Sequence, residues 1–202
     1  MRHLLLLITL LYTAVASAQL GNINTASRNL VNQGYELETL GDGWKSYRQE
    51  VQYREWDRIE TNWHNEDGSI WLNRYSVVPT YISRMNGQWS NATFKNFTAK
   101  ILKDNKKNIR KGKLTWRERY EIPFGDEIII RETVYNWNWN KDFRVVVRVV
   151  RSKNKEKVTT GDGNVHYRYR FKIEKYVETR QAGAEWPLDI AERSRNNDDN
   201  PF

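Results

Sequence analysis

Hydrophobic positions along the chain follow three patterns. Leu4 to Ala14 form an apolar run in which Thr9 and Thr13 are the polar interruptions, residues 22–33 and 91–110 repeat at helical spacing, and much of the remainder alternates with the period of two expected of a half-buried strand. The apolar run follows Arg2 and His3 and precedes Ala16-Ser17-Ala18, the small-residue pattern of a signal-peptidase site. Residues 1–18 therefore read as a signal peptide, and the mature chain is expected to start at Gln19 in a secreted or periplasmic setting. The run is shorter than the roughly 20 residues a spanning helix needs, and no second one follows, so no transmembrane segment is expected.

Ile23, Ala26, Leu30 and Val31 give residues 22–33 one apolar side, and Gly34 is placed to stop that helix. Tyr35 to Leu40 then alternates toward a Gly41-Asp42-Gly43 turn. Residues 44–62 fit both periods: Tyr47, Val51, Tyr53 and Ile59 share strand parity, while Trp56, Ile59 and Trp63 suit a helix. The weight of β-branched and aromatic residues favours a strand. Asn65 to Gly68 reads as a hairpin loop, and Ile70 to Val78 as the returning strand, ended by Pro79.

The clearest helix spans residues 91–110. Phe94, Phe97, Ile101, Leu102 and Ile109 fall on one arc, with Asn96, Lys100, Lys103, Lys107 and Arg110 opposite. Ser90 is the expected N-cap and Gly112 the stop. Four strands follow, over 114–122, 127–139, 143–151 and 165–177, joined at residues 123–126, at Asn140-Lys141 and at Gly161-Asp162-Gly163-Asn164. Trp186-Pro187-Leu188 is expected to dock. From Arg193 the chain has too little apolar content to order itself, so residues 193–202 read as a disordered tail.

The order helix, β-hairpin, helix, four strands implies an α+β domain over residues 19–192, in which a curved antiparallel β-meander wraps a central amphipathic helix. That order is similar to the order in NTF2-like and cystatin-like domains. The resemblance lies in arrangement, without a shared motif, and bears on fold rather than function.

The chain has no cysteine, which excludes disulfides, zinc–thiolate sites and thiol nucleophiles and leaves packing to hold the domain together. A cysteine-free exported domain favours a bacterial source, and the sequons at Asn91 and Asn96 matter only in a host that glycosylates. Net charge is +8 at neutral pH, less one once Arg2 is removed with the signal. The balance favours anionic partners such as envelope polymers or lipid head groups, with nucleic acid less suited to an exported protein; ordinary solubility is the plain alternative. Nine tryptophans and eleven tyrosines suit a β-rich core first and a stacking surface second.

Strand parity puts Val165, Tyr167, Tyr169, Phe171, Ile173 and Val177 on one face of the last strand, with Phe143, Val145, Val147 and Val149 on its neighbour. That face is expected to meet the core. The opposite parity collects Arg117, Arg119, Arg144, Arg148, His166, Arg168, Arg170 and Lys172 into a basic outer face suited to a polyanion. Trp137 and Trp139 would supply stacking platforms at its edge. The competing reading is an ordinary solvated face with Glu121 and Glu174 as cross-strand partners.

A second constellation depends on register. If Ile122 opposes Ile128, then Glu118 opposes Glu132 on the inner face, at the separation at which two carboxylates cannot both ionise freely. Such a pair is the raw material of a general acid and its partner in a hydrolase or lyase. Arg151 and Lys175 share the inward parity and would neutralise it if near. His64 and His166 lie in different elements with no nucleophile or metal partner at diagnostic spacing. No motif names a cofactor.

Three functions are open on this reading. The first is an exported non-catalytic binding module holding an anionic polymer on the basic sheet face. The second is an enzyme working at Glu118 and Glu132. The third is a carrier of an apolar ligand between sheet and helix. An open or a solid inner side of the sheet separates them.

Overall fold

Most alternating stretches become neighbours in a single sheet in the computed structural model, which describes residues 20–51, 56–79 and 86–196. The predicted signal peptide and residues 197–202 lie outside the described residues. Strands β1 (Glu36–Gly41), β2 (Trp44–Val51), β3 (Trp56–His64) and β4 (Ile70–Pro79) form one half; β5 (Leu114–Phe124), β6 (Glu127–Trp137) and β7 (Asn140–Ser152) form the other. A short hairpin, β8 (Glu156–Thr159) and β9 (Val165–Arg168), intervenes before β10 (Phe171–Thr179). The sheet has eight strands in the order β1-β2-β3-β4-β10-β7-β6-β5, and its ladders are antiparallel. The protein is thus α+β and built on a large antiparallel sheet. Residues 44–51 and 56–62 are extended in β2 and β3, as their β-branched and aromatic content favours; residues 52–55, with Tyr53, lie outside the described residues.

Helix α1 (Ile23–Asn32) begins at Asn22, whose side chain accepts from the Asn24 amide at 2.9 Å, and ends before Gly34 at φ 83°. Ile23 and Leu30 are buried; Val31, expected on the same side, is exposed.

Helix α2 (Asn86–Asp104) starts earlier than its apolar spacing suggests, so Ser90 is a fully buried position inside the helix and not its cap. The Asn105 side chain donates to the Ile101 carbonyl at 3.0 Å, and the chain restarts as α3 (Lys106–Arg110). The predicted face is the one that packs: Phe94 is buried with Tyr135, Val145, Val147, Val149 and Ile173, and Phe97, Ile101, Leu102 and Ile109 close over them. Among the described residues no helix is long and apolar enough to cross a membrane.

Three departures from the sequence reading shape the rest of the molecule. First, Phe124 pairs Glu127 directly, so the β5–β6 turn has two residues, with Gly125 at φ 60° in its first central position. Ile122 therefore faces Ile129 rather than Ile128. A bulge between Ile129 and Arg131 in β6, beside Glu121 at φ 51°, turns the remainder of β6 over. Second, the predicted strand 165–177 is two strands. Val165 and Tyr167 lie in the β8–β9 arm and are exposed, while Phe171 to Thr179 enter the main sheet.

Third, residues 187–196 form helix α4 (Pro187–Asn196) against the sheet face opposite α2, so the part of the expected tail from Arg193 to Asn196 is ordered. Leu188 is its one buried residue, beside Leu72, Val134, Val146 and Tyr176. Polar contacts hold its end: Asn196 accepts from the Gly125 amide and donates to the Pro123 carbonyl, both at 3.1 Å, and the Arg195 guanidinium lies 4.3 Å from the centre of the Phe124 ring.

Candidate functional site: a cavity beneath helix α2, and the covered basic face

Part of the predicted basic face lies under α4, where Arg119, Arg144 and Arg148 are engaged. Arg148 is 1% exposed; its Nε donates to Glu132 at 2.6 Å, and its Nη2 lies 3.3 Å from Glu192 on α4. Arg119 bonds the other oxygen of Glu132 at 2.7 Å and reaches Glu192 at 3.1 Å. Arg144 pairs with Glu178 and, at 2.8 Å, with Asp189 of α4, and its guanidinium stacks on Trp186. Lys172 bridges Glu127 at 2.8 Å and Glu174 at 3.3 Å. The parity that gathered these cations was right and included Glu174, but it placed Glu132 on the inner face, whereas Glu132 lies opposite Arg148 on theirs.

The other predicted binding residues scatter. Arg117 is exposed near the β5 edge, and Arg170 is exposed and paired with Glu156 at 2.9 Å. His166 and Arg168 are half-buried on β9. Trp139 is exposed at the β6–β7 turn, whereas Trp137 is buried edge-on against Phe143 in the α2-side core, with ring centres 4.9 Å apart.

Glu118 and Glu132 do not meet. Glu118 opposes Thr133 and Glu132 opposes Arg119, so the two carboxylates lie on opposite faces of the sheet. Hydrogen bonds from Tyr120 and Arg131 hold the Glu118 carboxyl below the ordinary range. Burial pushes Glu132 upward, but Arg148 and Arg119 outweigh it and leave a net depression. Both groups are settled carboxylates, and neither is poised as a general acid.

An open space lies on the other face of the sheet. Between α2 and strands β3 and β4 there is a cavity of about 590 Å³. Arg58, Tyr75 and Val77 form its sheet side; Trp89, Thr93, Asn96 and Phe97, spaced along one side of α2, form its helix side. Tyr75 meets Phe97 edge-on at 5.8 Å between ring centres. Arg58 is held toward β2 by a 3.3 Å bond from Nη1 to Gln49.

A polar row crosses three strands beside the cavity. Glu60 opposes Tyr75, and Tyr75 opposes Lys175, whose ammonium lies 5.7 Å from the Tyr75 ring centre. Asn73 donates to Glu60 and to Asn62, each at 2.8 Å. Burial raises the Glu60 carboxyl above its ordinary value, against the pull of Asn73 and Lys175. Burial also lowers the Lys175 ammonium, against the attraction of Glu60 and with a smaller push from Lys100. Opposed shifts beside a cavity mark a place where water has been removed from groups that would keep it.

Among the described residues no group of three histidine, cysteine, aspartate or glutamate side chains is placed to hold a metal ion. Comparison of the chain with models of known families, with curated proteins and with solved structures finds no match. Function must therefore be argued from the cavity and the surface themselves.

Sequence reasoning left a ligand in the sheet–helix space as a possibility without naming its residues. The signal was present in Trp89, Thr93, Asn96 and Phe97, which recur at i, i+4, i+7 and i+8. Starting the helix at residue 91 removed Trp89 from that pattern.

Proposed function

We propose that the protein is an exported, non-catalytic binding protein that holds a small amphipathic ligand between α2 and strands β3 and β4. The observation that carries this reading is the cavity itself, which falls in the roughly 300–1,000 Å³ range of small-molecule sites. Trp89, Phe97, Val77 and Tyr75 suit an apolar body. Arg58, with Asn96 and Thr93, suits one anionic or strongly polar head, because a guanidinium binds a carboxylate through two parallel hydrogen bonds. A medium-chain carboxylic acid has this chemistry.

Isothermal titration with saturated carboxylic acids of increasing length, and with the matching alcohols, tests the assignment. Affinity should rise about fourfold for each added methylene, following ~0.8 kcal/mol per buried group, until the chain outgrows the cavity. Val77→Trp should abolish binding of both series by filling the space. Arg58→Gln should weaken binding of the acids and leave the alcohols unchanged. Absence of binding in both series, or undiminished binding by Val77→Trp, would overturn the reading. The signal sequence supports the exported setting, and N-terminal sequencing of exported material should begin at Gln19.

A further inference from the structure

We propose that the β8–β9 arm is a docking surface for anionic phospholipid head groups. The inference is independent of the cavity. It rests on how the arm divides its side chains between two faces.

Among the described residues, strands β8 and β9 pair only with each other, as a two-stranded ladder set apart from the main sheet. At the root, the Ser152 amide donates to the Arg170 carbonyl at 2.9 Å and the Arg170 amide donates to the Ser152 hydroxyl at 3.1 Å. These bonds extend the β7–β10 ladder to the root of the arm. Directly opposed residues of an antiparallel pair share a face. Lys157 opposite Tyr167 and Thr159 opposite Val165 therefore make one face; Glu156 opposite Arg168 and Val158 opposite His166 make the other.

Acid is absent from the first of these faces. Glu156 is on the second, engaged by Arg170. Asp162, in the turn, accepts hydrogen bonds from the Thr160 hydroxyl and the Asn164 side chain. The first face offers Tyr167 at 63% exposure, Val165 at 47% and the exposed Lys157. At the root, Lys155 and Arg151 lie over the Tyr169 ring, 5.7 and 4.3 Å from its centre.

This combination fits a lipid interface better than a stacked polymer. A base or sugar stacks on a tyrosine ring but has no use for an exposed valine beside it. At a bilayer surface both side chains sink into the head-group boundary, and lysines on long apolar stems reach the phosphates. Positive charge on the same face complements the surface potential of anionic lipid.

Vesicle sedimentation with the full mature chain tests the proposal. The protein should sediment with vesicles of mixed phosphatidylcholine and phosphatidylglycerol, remain in solution with phosphatidylcholine alone, and be released as salt is raised. Each lysine contributes about a fivefold effect, so Lys155→Gln combined with Lys157→Gln should weaken binding about 25-fold. Tyr167→Ser should weaken it further at fixed salt. Both variants should keep the wild-type melting temperature and ligand affinity, and Val77→Trp should sediment as wild type. Equal sedimentation with both kinds of vesicle, or an undiminished lysine double variant, would overturn the assignment. Retention on heparin without vesicle binding would do so as well, by pointing to a soluble polyanion.

Discussion

Arg148 Nε donates to Glu132 Oε2 at 2.6 Å across the β6–β7 ladder, and neither side chain is more than 1% exposed. Two charges buried this deeply offset each other's desolvation only while both are present. Glu132→Gln should therefore cost about 3–5 kcal/mol in urea denaturation, since it leaves the buried Arg148 and Arg119 with Glu192 alone between them. Replacing the pair together, Glu132→Leu with Arg148→Met, should recover most of that loss. A double variant as unstable as the single one would mean that the ion pair contributes more than its own neutralisation.

Acid should attack the same face. Burial alone would raise Glu174, but Lys172, Arg74 and Arg148 hold it at about 2, whereas glutamate in an unfolded chain titrates near ~4.3. A depressed folded value contributes stability that is complete above the unfolded value and disappears as pH falls through the folded one. Unfolding free energy should thus decline from about pH 5 toward pH 2, and Glu174→Gln should flatten the decline. Denaturant titrations across that range measure both slopes.

Glu60 has the opposite sign. Its raised value means that the carboxyl opposes folding once the unfolded chain has ionised. Glutamine keeps an oxygen to accept from Asn73 without the buried charge, so Glu60→Gln should stabilise the fold near neutral pH. The gain should vanish below the unfolded glutamate value. A net loss at neutral pH would show that attraction from Lys175 exceeds the cost of burial.

Helix α4 should prove to be a structural cover and no appendage. Asn196→Ala removes the two hydrogen bonds that close its end on the β5–β6 turn, at a cost of about 1–2 kcal/mol. Truncation before Pro187 uncovers Arg144 and Arg148 and removes Asp189 and Glu192 from them; loss of cooperative unfolding is expected. Thermal melts of both variants decide this, and an unchanged melt of the truncated chain would remove the role given to α4.

What could be read from residues alone, and what could not, follows the strength of the local signal. Phe143, Val145, Val147 and Val149 alternate with Arg144 and Arg148, so β7 declared both of its faces. In β6 the run Ile128-Ile129-Ile130 carries no parity, and one bulged residue there moved Glu132 from the expected inner face to the arginines. Of helix α4 the pattern marked only the docking of Leu188, because most of the helix meets charges in the sheet. Strand β8, Glu-Lys-Val-Thr, has no buried side to betray it. The cavity depended on volumes that a linear pattern does not record, although the spacing of Trp89 and Phe97 marked its helix side.

Strand β10, the last to be synthesised, occupies the middle of the sheet. Ile173 pairs Val77 on one flank and Val149 on the other. Until residues 171–179 arrive, β4 and β7 are open edges of two separate half-sheets, each with unpaired backbone and apolar side chains. The joining step links segments far apart in the chain, which makes it slow and late. A nascent chain therefore spends its folding time with two edges prone to pairing with other chains, and shielding from aggregation must last until the seam closes.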